Sequence, residues 1–282
     1  MRKNSDSLDV VTVSAPLPPT RDYTPLNVPL TPPKIKAAFL SDAGCWRATN
    51  QDCGTLCEPE NDALLRLRGH LALVADGLGG HQGGATASQL AVETIREHYY
   101  ATTASDPHAA LEAAFHAANR AIHQAARRTM RLLGMGTTCT ALALCGRHAY
   151  CAHVGDSRLY LLRDGAIYLM SEDHSAVMDL VRRGVLHRND ARQHADRNVL
   201  LRALGTRSAV NVACWEKPFP VRAADVFVLC SDGLHDLVTD AEIQEIAQAA
   251  TPSDACAAFI ALAKERGGHD NITAGVVRLA EA

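Results

Sequence analysis

Twice in this chain an apolar run of strand length ends in Asp-Gly-Leu: Leu73-Val74-Ala75-Asp76-Gly77-Leu78 and Leu229-Cys230-Ser231-Asp232-Gly233-Leu234. Short apolar runs bounded by turn residues read as strands buried on both faces. A carboxylate at such a margin is costly to bury unless it is paired or bound to a metal. His153-Val154-Gly155-Asp156-Ser157 sets a third Asp at the end of a buried run, and Gly267-Gly268-His269-Asp270-Asn271 sets a fourth just before the last one. Asp-Gly is also a common turn, and Asp164-Gly165 reads as only that. Four carboxylates at strand margins leave a second reading open. If the strands face each other, the groups converge, and hard oxygen donors of this kind select Mg²⁺ or Mn²⁺. Two such ions ~3.5–4 Å apart clamp an in-line phosphoryl displacement.

Seven of the 12 prolines fall within the first 33 residues. Proline fixes φ and lacks an N–H, so this stretch is no ordinary strand or helix. Residues 1–34 are read as a proline-rich flexible tail, with a linker favoured over a docking arm. Regular elements are expected from Ile35 onward. Residues 71–75 and 226–230 read as buried strands, and 137–145, 149–154, 157–163 and 166–170 as further strands. Residues 272–279 close the chain as a last strand. Helices are expected over 83–100, from Pro107 with Asp106 as cap, and at about 240–249 and 253–266 with Asp240 and Ser253 as caps. Leu111, Phe115, Ala118, Ile122 and Ala125 line one face of the second helix. Strands cluster in hairpins and helical pairs flank them, so the fold class is α+β, antiparallel sheets with helices outside.

A chain of 282 residues with net charge −3, 47% hydrophobic and 21% charged is no basic nucleic-acid binder. No apolar stretch reaches the roughly 18 residues of a membrane span, and the polar start Met1 to Asp9 lacks a secretory apolar region. Nine cysteines cannot all pair within one chain. Cys139, Cys145, Cys151 and Cys230 lie in strand-like runs and Cys256 in a helix-like one, where free Cys packs as a small hydrophobe. Cys53-x3-Cys57 approaches a zinc half-site, yet no second pair sits at ligand spacing. Reduced thiols in a cytoplasm fit better.

A glycine-rich turn, Gly77 to Gly84, follows Asp76. Gln82 stands where a dinucleotide fingerprint needs glycine, and no P-loop occurs. The glycines permit close backbone approach, and the Gly77 carbonyl is available to a metal. Upstream lies Ser41-Asp42-Ala43-Gly44-Cys45-Trp46-Arg47-Ala48-Thr49-Asn50-Gln51-Asp52. An isolated loop Arg is usually a solvated charge; beside a two-metal site its planar fork matches phosphate.

Taken in order, Ser41–Asp52, Asp76–Gly84, Met135–Thr138, Gly155–Arg158, Cys230–Leu234 and Asp270–Thr273 resemble the motifs of the bacterial metal-dependent protein phosphatases, the type 2C Ser/Thr phosphatases. The resemblance covers about residues 35–280. It implies a four-layer sandwich, two central antiparallel β-sheets flanked by α-helices on both outer faces, with residues 35–282 as the catalytic domain. It implies hydrolysis of phosphoserine and phosphothreonine on proteins by direct attack of a metal-bridging water, with Mn²⁺ or Mg²⁺ as two core ions and a weaker third. By motif position, Asp76 bridges two ions, Asp232 and Asp270 complete the first site, and the Gly77 carbonyl serves the second. Asp156 and Asp232 hold the third ion, and Arg47 binds the substrate phosphate. Gln51, Asp52 and Asn271 support this set. Gln51 replaces the family's usual Glu and loses its charge, which weakens the second site. Leu78 replaces a His seen in many eukaryotic members, so the leaving-group acid must lie elsewhere. His269 stands where Pro or Ser is more usual.

His81 and His174 are read as structural or substrate-side groups, and His153 as a satisfied sheet histidine. Residues 171–205 are expected to form a flap beside the cleft. Arg182, Arg183, Arg188, Arg192, Arg197 and Arg202 there favour phosphorylated or acidic segments, against a solvated surface offset by Asp173, Asp179, Asp190 and Asp196. Expected partners are phosphoproteins and a cognate bacterial Ser/Thr kinase, with no nucleic acid and no membrane span. The alternative is a pseudophosphatase that binds a phosphoprotein or kinase without turnover, whose signature is a lost core Asp or Arg47. A third, weaker alternative acts on an anti-sigma-factor-type antagonist.

Overall fold

The structure is a computed structural model that describes residues 33–59, 61–79, 83–104 and 106–281. The expected tail lies outside the described residues except at its end, where Lys34 already opens a strand. His81 and the neighbouring Gly80 and Gln82 also lie outside them, as does the side chain of Arg192.

Two antiparallel sheets form the centre. The first is built from β1 (Lys34–Asp42), β7 (Arg158–Arg163), β8 (Ala166–Leu169), β11 (Val226–Cys230) and β12 (Ile272–Ala280), in the spatial order β1-β12-β11-β7-β8. The second contains β2 (Asp52–Cys57), β3 (His70–Leu78), β5 (Cys139–Cys145), β6 (His148–Val154) and β10 (Phe219–Pro220), in the order β10-β6-β5-β3-β2. The short β4 (Gly136–Thr137) pairs with β3 and β9 (Ala213–Cys214) with β6. The helices are α1 (Asp62–Arg68), α2 (Gly83–Ala101), α3 (Pro107–Arg128), α4 (Ala176–Arg182), α5 (Asp232–His235), α6 (Asp240–Ala249) and α7 (Pro252–Glu265).

The burial pattern explains why the central strands read as unbroken apolar runs. In β11, Val226, Val228 and Cys230 face the α6–α7 layer, while Phe227 and Leu229 face the opposite sheet. In β3, Leu71, Leu73 and Ala75 face α2 and α3, while Ala72 and Val74 enter the inter-sheet core. A strand covered on both faces needs apolar residues at every position. Three core layers therefore separate four structural layers, as the α+β sandwich requires.

Local chemistry sets the ends of elements. Asp106 caps α3 by accepting from the His108 and Ala109 N–H groups, with Pro107 at the first helical position. Asp164 and Gly165 take φ of 53° and 76° at the β7–β8 hairpin tip, the left-handed pair that such turns need. Two expected caps are displaced. Thr239, not Asp240, caps α6 through a reciprocal box with Glu242, and Thr251, not Ser253, caps α7 with Pro252 following. In both, the hydroxyl one or two residues earlier reaches the N3 amide, which leaves the expected cap inside the first turn.

Candidate metal centre

Strand register gathers the Asp residues at one end of the sandwich. β2 and β3 pair with Asp52 opposite Asp76. β11 pairs with β12 through Cys230 and Ala274, and with β7 through Cys230 and Arg158. Asp232 follows the end of β11, Asp270 precedes the start of β12, and Asp156 precedes β7, so all three stand at that same end. Asp232-Gly233 is not a turn; it opens α5.

The surrounding motifs hold this arrangement by hydrogen bonds. The Asp76 N–H donates to Thr138 Oγ1 at 3.0 Å, and Thr138 N–H and Thr137 Oγ1 each donate to the Asp76 carbonyl at 2.8 Å. Thr138 Oγ1 lies 2.6 Å from Ser157 Oγ, which ties the residue after Asp156 to the same frame. Ser231 Oγ donates to Asp52 Oδ2 at 2.7 Å and accepts from Thr273 N–H at 3.0 Å. Asn271 Nδ2 donates to the Ala43 and Thr49 carbonyls at 3.1 and 3.0 Å, while its Oδ1 accepts from Gln51 N–H at 2.8 Å. Gly44, at φ +76°, packs so closely that a Cβ there would stand 2.1 Å from the Asp270 carbonyl oxygen. The 43–51 loop and the 267–271 loop are thus one clamped unit.

That unit positions Arg47, whose Nη2 donates to Asp270 Oδ2 at 2.7 Å. Asp270, followed by Asp232 and Asp76, raises the pKa of the guanidinium and keeps it charged. Gln51 Nε2 donates to the Gly79 carbonyl at 3.3 Å. Gly77 abuts the first turn of α2, where a Cβ would meet the Gly84 carbonyl oxygen at 2.2 Å and the Gln51 carbonyl oxygen at 2.6 Å. Only glycine permits that approach.

Burial and mutual repulsion set the carboxyls of this cluster apart. Burial, then the charges of Asp52, Asp232, Asp156 and Asp270, pushes the Asp76 carboxyl well above the ordinary range. Asp232 is raised likewise, by burial and then by Asp156, Asp236 and Asp270. Burial pushes Asp52 up to about 6 against the pull of Ser231, and it pushes Asp156 up to about 7, with Asp173 adding to it. Asp52 Oδ1 and Asp232 Oδ1 are buried with no hydrogen-bond partner among the described residues. Buried, mutually repelling carboxylates with lone pairs to spare fit a hard divalent cation. As they stand, no three His, Cys, Asp or Glu side chains among the described residues are arranged to hold a metal ion, Cys53 and Cys57 included.

Beside the carboxylates lies a cavity of about 50 Å³ between Asp156, Asp232 and His235 on one side and Ser175, Met178 and Arg197 of the 171–205 excursion on the other. Arg158 and Asp173 brace its wall, with Nη2 to Oδ2 at 2.7 Å and both groups nearly buried. His174 anchors the excursion: its N–H donates to the Gly155 carbonyl at 2.7 Å, and its Nδ1 accepts from Gly155 N–H at 3.1 Å. Burial, then His153 and Arg202, lowers its pKa to about 3. His153 is held by Thr140 Oγ1 at 2.8 Å and the Glu172 carbonyl at 3.1 Å. Both histidines are therefore tied into the framework by hydrogen bonds, which for His174 favours the structural reading over the substrate-side one. Arg182 pairs with Glu172 and Asp179, so part of the excursion's positive charge is offset.

The family model described as protein phosphatase 2C matches residues 48–264. The chain belongs to the protein phosphatase 2C family. It is 37% identical over 244 residues to the serine/threonine phosphatase stp of Listeria innocua, covering 85% of this chain and 94% of that relative. It resembles the crystal structure of the Mycobacterium tuberculosis serine/threonine phosphatase PstP/Ppp with a TM-score of 0.78 and 35% identity, over 88% of this chain and 99% of that one. The catalytic domain of PstP in complex with two manganese ions matches with a TM-score of 0.75 and 33% identity, over 88% and 99% of the two chains.

For this protein phosphatase 2C chain, Asp76, Gly77, Asp156, Asp232 and Asp270, with Arg47, Gln51, Asp52 and Asn271, lie at the same end of the sandwich. Sequence reasoning did not single out the hydroxyls of Ser231, Thr138 and Ser157, nor the Arg158–Asp173 pair. A signal existed, since each hydroxyl is a polar residue adjoining an otherwise apolar strand.

Proposed function

We propose that Asp76, Asp232 and Asp270 hold one divalent cation and that Asp76 shares a second with the Gly77 carbonyl. Asp156 and Asp232 take a weaker third, and Arg47 receives the substrate phosphate. The chain is a metal-dependent protein serine/threonine phosphatase, a hydrolase that uses Mn²⁺ or Mg²⁺ and acts on phosphoproteins. The single observation that carries the ligand assignment is the group of half-buried Asp side chains at one end of the sandwich, in which Asp232 Oδ1 is buried without a hydrogen-bond partner and the Asp76 and Asp232 carboxyls are pushed up. When bound, the paired cations acidify the attacking water and offset charge that develops on the phosphoryl oxygens.

The chain's own residues do the rest. Arg47 offers a charged fork that exchanges Asp270 for phosphate, and the clamped 43–51 loop keeps it in place. Asp52, fixed by Ser231, stands opposite Asp76 and holds its orientation. Gln51 steadies the Gly79 end of the glycine turn, a donor role that a Glu carboxylate cannot take. The pseudophosphatase alternative has no support, because Arg47 and all four core Asp residues are present. A cognate Ser/Thr kinase follows from the substrate class, and a reducing cytoplasm from nine free cysteines. Among the described residues, no helix is long and apolar enough to cross a membrane.

The test is phosphate release from a phosphothreonine peptide with Mn²⁺, with Mg²⁺ and with EDTA, alongside Asp232→Asn. Release that needs metal and disappears in the variant is expected. Absence of release by the wild type in millimolar Mn²⁺, or undiminished release in EDTA, overturns the assignment.

A further inference from the structure

From Ala113 to Gly155 the sequence has no Asp or Glu, and the same is true from Arg197 to Trp215. The fold brings parts of these two segments together. Asn119 Nδ2 of α3 donates to the Arg207 and Ser208 carbonyls at 3.1 and 3.2 Å, and its Oδ1 accepts from Gly205 N–H at 2.8 Å. The exposed side chains of Arg127, Arg128, Arg131 and Arg207 form no ion pair among the described residues. Within this basic region, Met130 and Leu133 are 84% and 66% exposed. They sit on a turn closed on itself by Leu132 N–H to Thr129 O at 2.9 Å and Met135 N–H to Leu132 O at 3.0 Å. The turn runs directly into β4, which pairs with Gly77 and Leu78 next to Asp76. Two large apolar side chains are thus held out in water on a turn flanked by arginines that form no ion pair among the described residues.

We propose that this turn and its arginines dock an acidic, apolar-punctuated segment of the phosphoprotein substrate, outside the phosphorylated residue itself. The inference rests on the phosphatase reading above. Guanidinium forks match carboxylates, and Met130 and Leu133 supply apolar contact. The cleft is lined by carboxylates, so an acidic substrate gains its landing zone outside it. Adjacency to the β3 end lets one polypeptide reach both places, which raises the effective concentration of the phosphorylated residue. A lipid surface is disfavoured because it would face the same end of the molecule as the cleft and hinder entry of a protein.

Arg127→Glu/Arg128→Glu/Arg131→Glu and Met130→Ser/Leu133→Ser are compared with the wild type. The substrates are p-nitrophenyl phosphate, a short phosphothreonine peptide, and the same peptide extended by alternating Glu and Leu. Thermal midpoints verify folding. The wild type is expected to show a KM about tenfold lower for the extended peptide, a gain that shrinks with salt. Both variants keep p-nitrophenyl phosphate turnover, and the charge variant loses the gain. Equal KM for the two peptides in the wild type, or a gain that survives charge reversal, overturns the proposal. So does wild-type binding to phosphatidylglycerol vesicles without a peptide preference. If the wild type hydrolyses none of the substrates, the phosphatase reading fails instead. Fluorescence anisotropy of the labelled, unphosphorylated Glu-Leu peptide then tests docking alone, with variant-sensitive binding supporting it and its absence overturning it.

Discussion

Ser231 shows how much of this site depends on groups other than the carboxylates. Its hydroxyl gives its proton to Asp52 and accepts the Thr273 amide, joining β11, β12 and β2. Ser231→Ala leaves a buried carboxylate and a buried N–H short of a partner, so a loss of about 1–3 kcal/mol is expected. Urea unfolding measures it; an unchanged midpoint would mean that water or repacking replaces both bonds. Gly77→Ala acts through space alone. With the Gly84 carbonyl 2.2 Å from the new Cβ, the first turn of α2 must move. Phosphate release should fall by about tenfold or more, as expected when a positioning geometry shifts by ~1 Å. Full activity would show that the turn yields without disturbing Asp76. The four Asp residues were legible in the sequence because each ends or borders an apolar run, which makes a carboxylate conspicuous. Ser231 was not, because its partners Asp52 and Thr273 lie 179 and 42 residues away and only register brings them near.

Elements buried on both faces announced themselves, and edge elements did not. β3, β5 and β11 are nearly continuous apolar runs with core on either side. β1 and β2 lie at the edges of their sheets, carry partly exposed residues and show no clean alternation, so the pattern that reveals a strand is weak there. At helix ends, the reciprocal bonds of Thr239 and Glu242 identify a cap that the neighbouring Asp240 obscured in sequence. Thr239→Ala is expected to lower stability by about 1 kcal/mol and leave phosphatase activity intact. A matched thermal midpoint would deny the cap its role. The excursion over the cleft has a pH signature. His174 has a folded pKa of about 3, below the ordinary value of 6.5. The unfolded chain therefore binds the extra proton between those values, so this contribution is present above about pH 6.5 and lost as pH falls. Between about pH 6.5 and 5 the wild type should lose on the order of 1–2 kcal/mol relative to His174→Gln. Parallel stability profiles for the two proteins would contradict a buried neutral His174.

At the scale of the whole molecule, the sandwich exists to hold like charges together. Its sheets converge at an end where carboxylates gather from both, while the α2–α3 and α6–α7 layers bury the strands that carry them. The α+β class followed from the strand pattern and the helical pairs, and the four-layer order from the resemblance of the motifs to the type 2C phosphatases. The Arg158–Asp173 brace and the clamping of two loops by Asn271 did not, because they depend on where distant segments meet in space. A cation that binds only the folded chain must stabilise it by mass action, by about 2.7 kcal/mol at a hundredfold excess over Kd. Isothermal titration of the metal-free protein with Mn²⁺ tests the central claim most directly. The wild type should take up two ions per chain in its tighter phase, Asp76→Asn should lose that phase, and Gln51→Glu should tighten the weaker of the two. Absence of stoichiometric uptake by the wild type, or unchanged uptake by Asp76→Asn, would contradict the assignment of these carboxylates as the metal-holding centre.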